Sequence, residues 1–237
     1  MKNKIFMSLL LGAMLLTACD DEAPMERSLY PETVYLVGAK DKIITRELNL
    51  GYDQDTVYAS VAVSGTLPTE KNVIAEVEQI PEAILRYNDR ELGTNDVLYQ
   101  NLPADIYSIP DPAVTVPAGE PYGTLPIYIE PATLHVDSLY MIALKLKSTS
   151  DFALTKTDTV VLMKFNIVND YSGLYYMDAI IKDVANPSDS VTYKTSRNLQ
   201  AVRDGRTVRM YHMQNEWSKG ATDSVSYTHL RAHETSA

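Results

Sequence analysis

Few side chains in this chain of 237 residues are equipped for chemistry. Cys19 is the only cysteine, so an intrachain disulfide is excluded. Histidine occurs at 135, 212, 229 and 233. His229 and His233 stand at i,i+4, a spacing that can set two imidazoles on one helix face for a metal ion. Asp53 and Asp55 lie in Gly51–Asp55, where aspartate serves turn geometry. A calcium loop would need a third ligand and a glycine in register, and neither is present. There is no glycine-rich phosphate loop, no His-Glu-x-x-His helix and no Gly-x-Ser-x-Gly elbow. No catalytic residue, metal site or cofactor is expected. Contact chemistry remains. Sugar rings present apolar faces to aromatics and hydroxyls to amides and carboxylates. Trp217, Tyr211, Tyr175 and Tyr176 are the candidate glycan contacts, with Trp217 first because it follows Gln214-Asn215-Glu216. Cross-strand packing is the alternative for each of them. His135 reads as a solvated turn residue and His212 as a strand residue, packed or exposed.

Charge narrows the partners. The formal net charge is −10, so the chain has no counterion-release drive toward nucleic acid and is repelled by anionic membrane surfaces. Sixteen tyrosines against three phenylalanines and one tryptophan favour pleated, half-buried surfaces, which points toward β structure.

The start of the chain reads as an address. Lys2 and Lys4 precede an apolar run from Ile5 to Leu16 that is short of the ~20 residues of a membrane span. Residues 1–18 are therefore expected to be a secretory signal, outside fold reasoning. Leu16-Thr17-Ala18-Cys19 resembles the lipobox of bacterial lipoproteins, which implies that Cys19 is acylated and becomes the first residue. Asp20, Asp21 and Glu22 resemble the export signal that sends Bacteroidetes-type lipoproteins to the outer face of the outer membrane. Two or more acyl chains give stable anchoring. Residues 19–30 then read as a lipidated tether.

The far end departs from this pattern. Val225 to Thr235 resembles the translated adapter of sequencing libraries. Residues 225–237 are thus expected to be non-native, which removes His229 and His233 from consideration as a metal pair and implies a longer natural protein.

Between the ends, short alternating runs are broken by turn residues. Val34–Val37, Ile43–Leu50, Val57–Val63, Val73–Val77, Tyr107–Ile109, Ala113–Val116, Leu125–Ile129, Leu139–Leu146 and Thr159–Val168 read as strands. Val57, Ala59, Val61 and Val63 share one face. Pro81–Asn88 reads as a short helix with proline at its start, ended by Asn88-Asp89. Tyr171–Tyr176 opens a further strand. Asp204-Gly205 predicts a hairpin turn joining Asn198–Val202 to Thr207–Met213. The expected architecture is all-β: a β-sandwich over 31–168, then a truncated β-rich module over 169–224, a meander with an exposed edge.

Leu102-Pro103, Tyr107, Val114-Thr115-Val116-Pro117-Ala118-Gly119-Glu120, Leu139–Ile142 and Asp170–Tyr176 occur in that order. This arrangement resembles a domain of unknown function in Bacteroidetes surface lipoproteins, which often precedes family-18 glycosidase-like, lectin-like or other modules. The resemblance covers about residues 30 to 168. It implies an immunoglobulin-like sandwich and a setting in polysaccharide utilisation, and it supplies no catalytic residues. The expected protein is an outer-membrane, lipid-anchored, non-catalytic accessory with polysaccharide and outer-membrane uptake proteins as partners. Two alternatives stay open: the N-terminal part of a surface glycoside hydrolase, and a structural or adhesive surface protein.

Overall fold

The computed structural model describes residues 30–39, 43–202, 205–211 and 224–228. Strands β1 (Thr33–Leu36), β2 (Ile43–Asn49), β3 (Asp55–Val63) and β4 (Val73–Gln79) precede helix α1 (Glu82–Glu91). Then come β5 (Tyr99–Asn101), β6 (Tyr107–Ser108), β7 (Ala113–Val116), β8 (Tyr122–Ile129), β9 (Leu139–Thr149), β10 (Ala153–Leu154) and β11 (Val160–Val168). These strands form two sheets, ordered β10-β1-β3-β8-β6 and β2-β11-β9-β4-β7, with β5 pairing β9. A third sheet holds β12 (Gly173–Lys182), β13 (Ser190–Ala201), β14 (Thr207–Tyr211) and β15 (Ser224–Thr228) in chain order. The architecture is all-β, a sandwich followed by a β-rich second module. Val225–Thr228, within the segment expected to be non-native, are part of β15 and pair with β14.

Period-two alternation builds the core. Val57, Ala59 and Val61 of β3 are buried while Tyr58 between them is exposed. Leu125, Ile127 and Ile129 of β8, beside β3 in the same sheet, and Leu144 and Leu146 of β9 in the other sheet belong to the same core. Each such side chain contributes about 1.5–3 kcal/mol of burial. The two sheets close against one another where β7 passes β8. A Cβ on Gly123 would lie 2.2 Å from the Thr115 carbonyl oxygen, so only glycine fits there.

A second, smaller core covers the outer face of the β9-containing sheet, where Ala83 and Ile84 of α1 pack on Met141, Ala143 and Leu162. The helix continues past its expected stop at Asn88-Asp89 to Glu91. Asn88 is buried, not a terminator. Its amide donates to the Tyr99 carbonyl (2.8 Å) and its Oδ1 accepts from the Tyr99 N–H (3.1 Å), which fixes β5 beside β9.

Strand direction separates the two ends of the sandwich. Thr33 bonds Ser64, just beyond the end of β3. At the other end of β3, Asp55 accepts from the Asn49 N–H. The nine residues of β3 thus hold the chain's entry at Thr33 roughly 27 Å from the Asn49 end, at about 3.4 Å per residue. Gly123→Ala should lower the unfolding free energy by about 1–3 kcal/mol in urea denaturation; an unchanged midpoint would show that β7 moves aside at no cost.

Candidate functional site

The Asn49 end of the sandwich carries the second module. β11 ends at Val168, and the turn into β12 is organised by Asn169, which is 4% exposed. Its Nδ2 donates to the Thr207 carbonyl (2.9 Å), while its Oδ1 accepts from Tyr171 N–H (3.1 Å) and the Ser172 hydroxyl (3.0 Å). Asn49 Nδ2 donates to Asp170 Oδ1 at 2.8 Å. Gly205, at φ +65°, lies against the Leu50–Gly51 turn, and a Cβ there would meet the Leu50 carbonyl oxygen at 2.9 Å. This glycine belongs to the hairpin turn expected from Asp204-Gly205; Asp204 itself is outside the described residues.

Where the two modules meet they enclose an open cleft of about 550 Å³. β2 and β11 run parallel and bring Glu47 beside Asn166 on its floor. The Val136–Leu139 loop forms one wall, and Asn198, Gln200 and Arg209 form the opposite one. Arg209 bridges the walls as a two-pronged pair with Asp137: Nη1 donates to Oδ2 at 3.1 Å and Nη2 to Oδ1. The guanidinium also approaches Gln200 Oε1, with Nε and Nη2 each at 3.4 Å, so the Gln200 NH2 group remains to donate. The lining is rich in amides, which both donate and accept. Such a surface suits a ligand bearing many hydroxyls.

Reactive chemistry has no comparable assembly among the described residues. Among the described residues no group of three or more His, Cys, Asp or Glu could hold a metal ion. The Ser148 hydroxyl and Lys147 hold the Glu76 carboxyl below its usual range, and Lys71 does the same for Asp151. Burial pushes the Tyr99 and Tyr107 hydroxyls up. None of these four residues lines the cleft. Asp55 spends both carboxylate oxygens on the N–H groups of Asn49 and Thr56. His135 is an exposed loop residue whose Nδ1 accepts from the Asp137 N–H at 3.2 Å.

Two of the expected glycan contacts face apart. Tyr175 and Tyr176 are neighbours on β12 and therefore project to opposite faces of the ribbon; they are 43% and 88% exposed. One platform cannot hold both. Tyr211 ends β14, its backbone paired with Ser224. Trp217 lies outside the described residues, as do His212, Cys19, Asp20, Asp21 and Glu22. Arg209, Asp137, Asn198 and Gln200 were not singled out from the sequence. Asp137 and Arg209 are 72 residues apart, and nothing local marks either.

A family model described as an N-terminal domain matches residues 30–153, and one described as a C-terminal domain matches 159–231. No curated protein matches the chain in sequence. Among solved structures, a Bacteroides ovatus protein of unknown function shares 17% identity at TM-score 0.56, over 78% of this chain and 63% of its own. A second one from that organism shares 20% at 0.53, over 77% and 60%. A Bacteroides thetaiotaomicron protein described as an auxiliary nutrient binding protein shares 14% at 0.54, over 80% and 67%. At these identities the likeness shows the fold, and the chain spans less than two thirds of the first two.

A double-mutant cycle of Asp137→Ala and Arg209→Ala in urea should return a coupling of about 1 kcal/mol or more. Strict additivity would mean that the modules are held without this pair.

Proposed function

The chain belongs to the family of that N-terminal domain, and from this premise we propose that it is a lipid-anchored surface protein serving polysaccharide acquisition as a non-catalytic, glycan-binding accessory. The observation that carries this reading is the amide-lined cleft at the end of the sandwich remote from Thr33. A tether at residues 19–30 would put its lipid at one end of the sandwich and the cleft at the other, with the sandwich as spacer. The Leu16–Cys19 lipobox and the acidic Asp20, Asp21 and Glu22 support attachment and export to the outer leaflet. The description of one structural neighbour as an auxiliary nutrient binding protein is in keeping with a binding role. Partners on this reading are a polysaccharide and the outer-membrane proteins that import it.

Lipid labelling, protease accessibility and affinity electrophoresis test it. In a Bacteroides host, radiolabelled palmitate should be incorporated into the protein and lost in Cys19→Ser, which should leave the membrane fraction. Replacing Asp20, Asp21 and Glu22 by alanine should keep the lipid but shield the protein from protease added to intact cells. Labelling that persists in Cys19→Ser would refute the anchor. For glycan binding, migration of the purified chain should be retarded in native gels cast with at least one neutral polysaccharide. Unretarded migration in yeast mannan, xyloglucan, laminarin and levan gels alike would count against the binding role.

A further inference from the structure

The second module leaves the sandwich as a two-stranded ribbon, and its two faces differ in chemistry. β12 and β13 pair antiparallel over their length, with Leu174 opposite Asn198, Tyr175 opposite Arg197 and Tyr176 opposite Ser196. Gln200 pairs with Arg209 of β14. Alternation therefore puts Gln200, Asn198 and Ser196 of β13 on one face, with Leu174 and Tyr176 beside them on β12. Gln200 and Asn198 already line the cleft. Rows on this face repeat every ~6.7 Å along the strand, so the face continues the cleft wall outward as a strip. One edge of the strip is polar: two amides and a hydroxyl. The other is apolar, with Leu174 64% and Tyr176 88% exposed. In the next row outward Asp178 and Lys194 form an ion pair at 3.4 Å, which interrupts the apolar edge before Ile180, opposite Thr192 and 62% exposed.

We infer that this strip is a binding track for a linear neutral glycan, running from the Gln200–Asn198 wall of the cleft to an end stacked on Tyr176. The inference rests on the glycan-binding reading above and adds the site and ligand class. A pyranose ring has the same division as the strip, with hydroxyls around its rim and C–H groups on its face. Hydroxyls at the rim meet the Asn198 amide, which can donate and accept together, and the Gln200 NH2, which donates. The ring face meets Leu174 and the Tyr176 ring. Three apolar side chains, Leu174, Tyr176 and Ile180, the last cut off by an ion pair, are too little for the core of a protein interface, which takes ~800 Å² from each partner. An extended peptide would be read by main-chain bonds at a sheet edge, whereas the strip is a face and offers side chains. The guanidinium of Arg209 is committed to Asp137 and Glu47 adds a carboxylate to the cleft. With the chain at −10, a polyanionic glycan is disfavoured.

The test is affinity electrophoresis of the full chain in yeast mannan, xyloglucan, laminarin and levan, with chondroitin sulfate as the polyanionic comparison. Tyr176→Ala, Asn198→Ala, Tyr175→Ala and Ile181→Ala are run beside the parent, with thermal melting as the check on folding. Loss of one stacked ring should weaken binding roughly five- to tenfold, and loss of one amide roughly threefold or more. Ile181, on the opposite face with Tyr175, should tolerate alanine without change. If a neutral polysaccharide retards the parent and both Tyr176→Ala and Asn198→Ala equally, the track is wrong while the binding role survives. A loss carried by Tyr175→Ala in place of Tyr176→Ala assigns binding to the opposite face and overturns it as well. Retention by chondroitin sulfate alone overturns the ligand class. Retention by nothing removes the binding role and the track together.

Discussion

The donation from Asn169 to the Thr207 carbonyl is the contact on which the relation of the two modules depends. Asn169 is buried at 4% exposure, and a buried polar group left without its partner costs ~1–3 kcal/mol. The same side chain accepts from Tyr171 and Ser172, so it fixes the turn out of β11 as well as the position of β14. The start of β12 and the course of the ribbon follow from that turn. Gly205 against Leu50 and Arg209 with Asp137 add two further contacts between the modules. The cleft therefore has walls from two modules held at a set spacing, as a recognition surface requires.

Much of the sandwich was legible in the sequence because strands such as β3 and β8 are buried mainly on one face. Val57, Ala59 and Val61 alternate with exposed or half-buried residues, and turn residues bound the runs. Two short strands gave no such signal: β10 has two residues and β5 three, and both pair with longer strands, β1 and β9. Helix α1 exceeded its expected length because tertiary bonds to Tyr99 make Asn88 a buried anchor, overriding its local preference for ending helices. In the second module the Gly205 turn was readable, while the outer halves of β12 and β13 were not. Most of their described side chains are exposed on both faces, so burial imposes no alternation there.

The site was less legible than the fold, for the same reason. A cleft between modules draws its residues from strands far apart in sequence, and Glu47, Asp137, Asn198 and Arg209 carry no local mark. Reading aromatics as a group also ignores the pleat. Tyr175 and Tyr176 are adjacent in sequence and separated by the thickness of a sheet. Residues that can act together on a strand are two apart, or opposite one another across a pair. By that rule Tyr176 belongs with Ser196, Asn198 and Leu174, and Tyr175 with Arg197.

Strand direction joins the two halves of the functional reading. β3 begins beside Asn49 and ends beside Thr33. The point where the chain enters the sandwich, at Thr33, is therefore held a strand's length from the cleft. On the proposed reading, the length of β3 separates the chain's entry from the binding surface. A flexible linker of equal reach would spread its end over a broad range of distances and would add its own ordering cost on engaging a fixed polymer. A rigid spacer meets neither cost, and the contacts of Asn169, Gly205 and Arg209 extend the same rigidity across the joint into the ribbon that carries Tyr176.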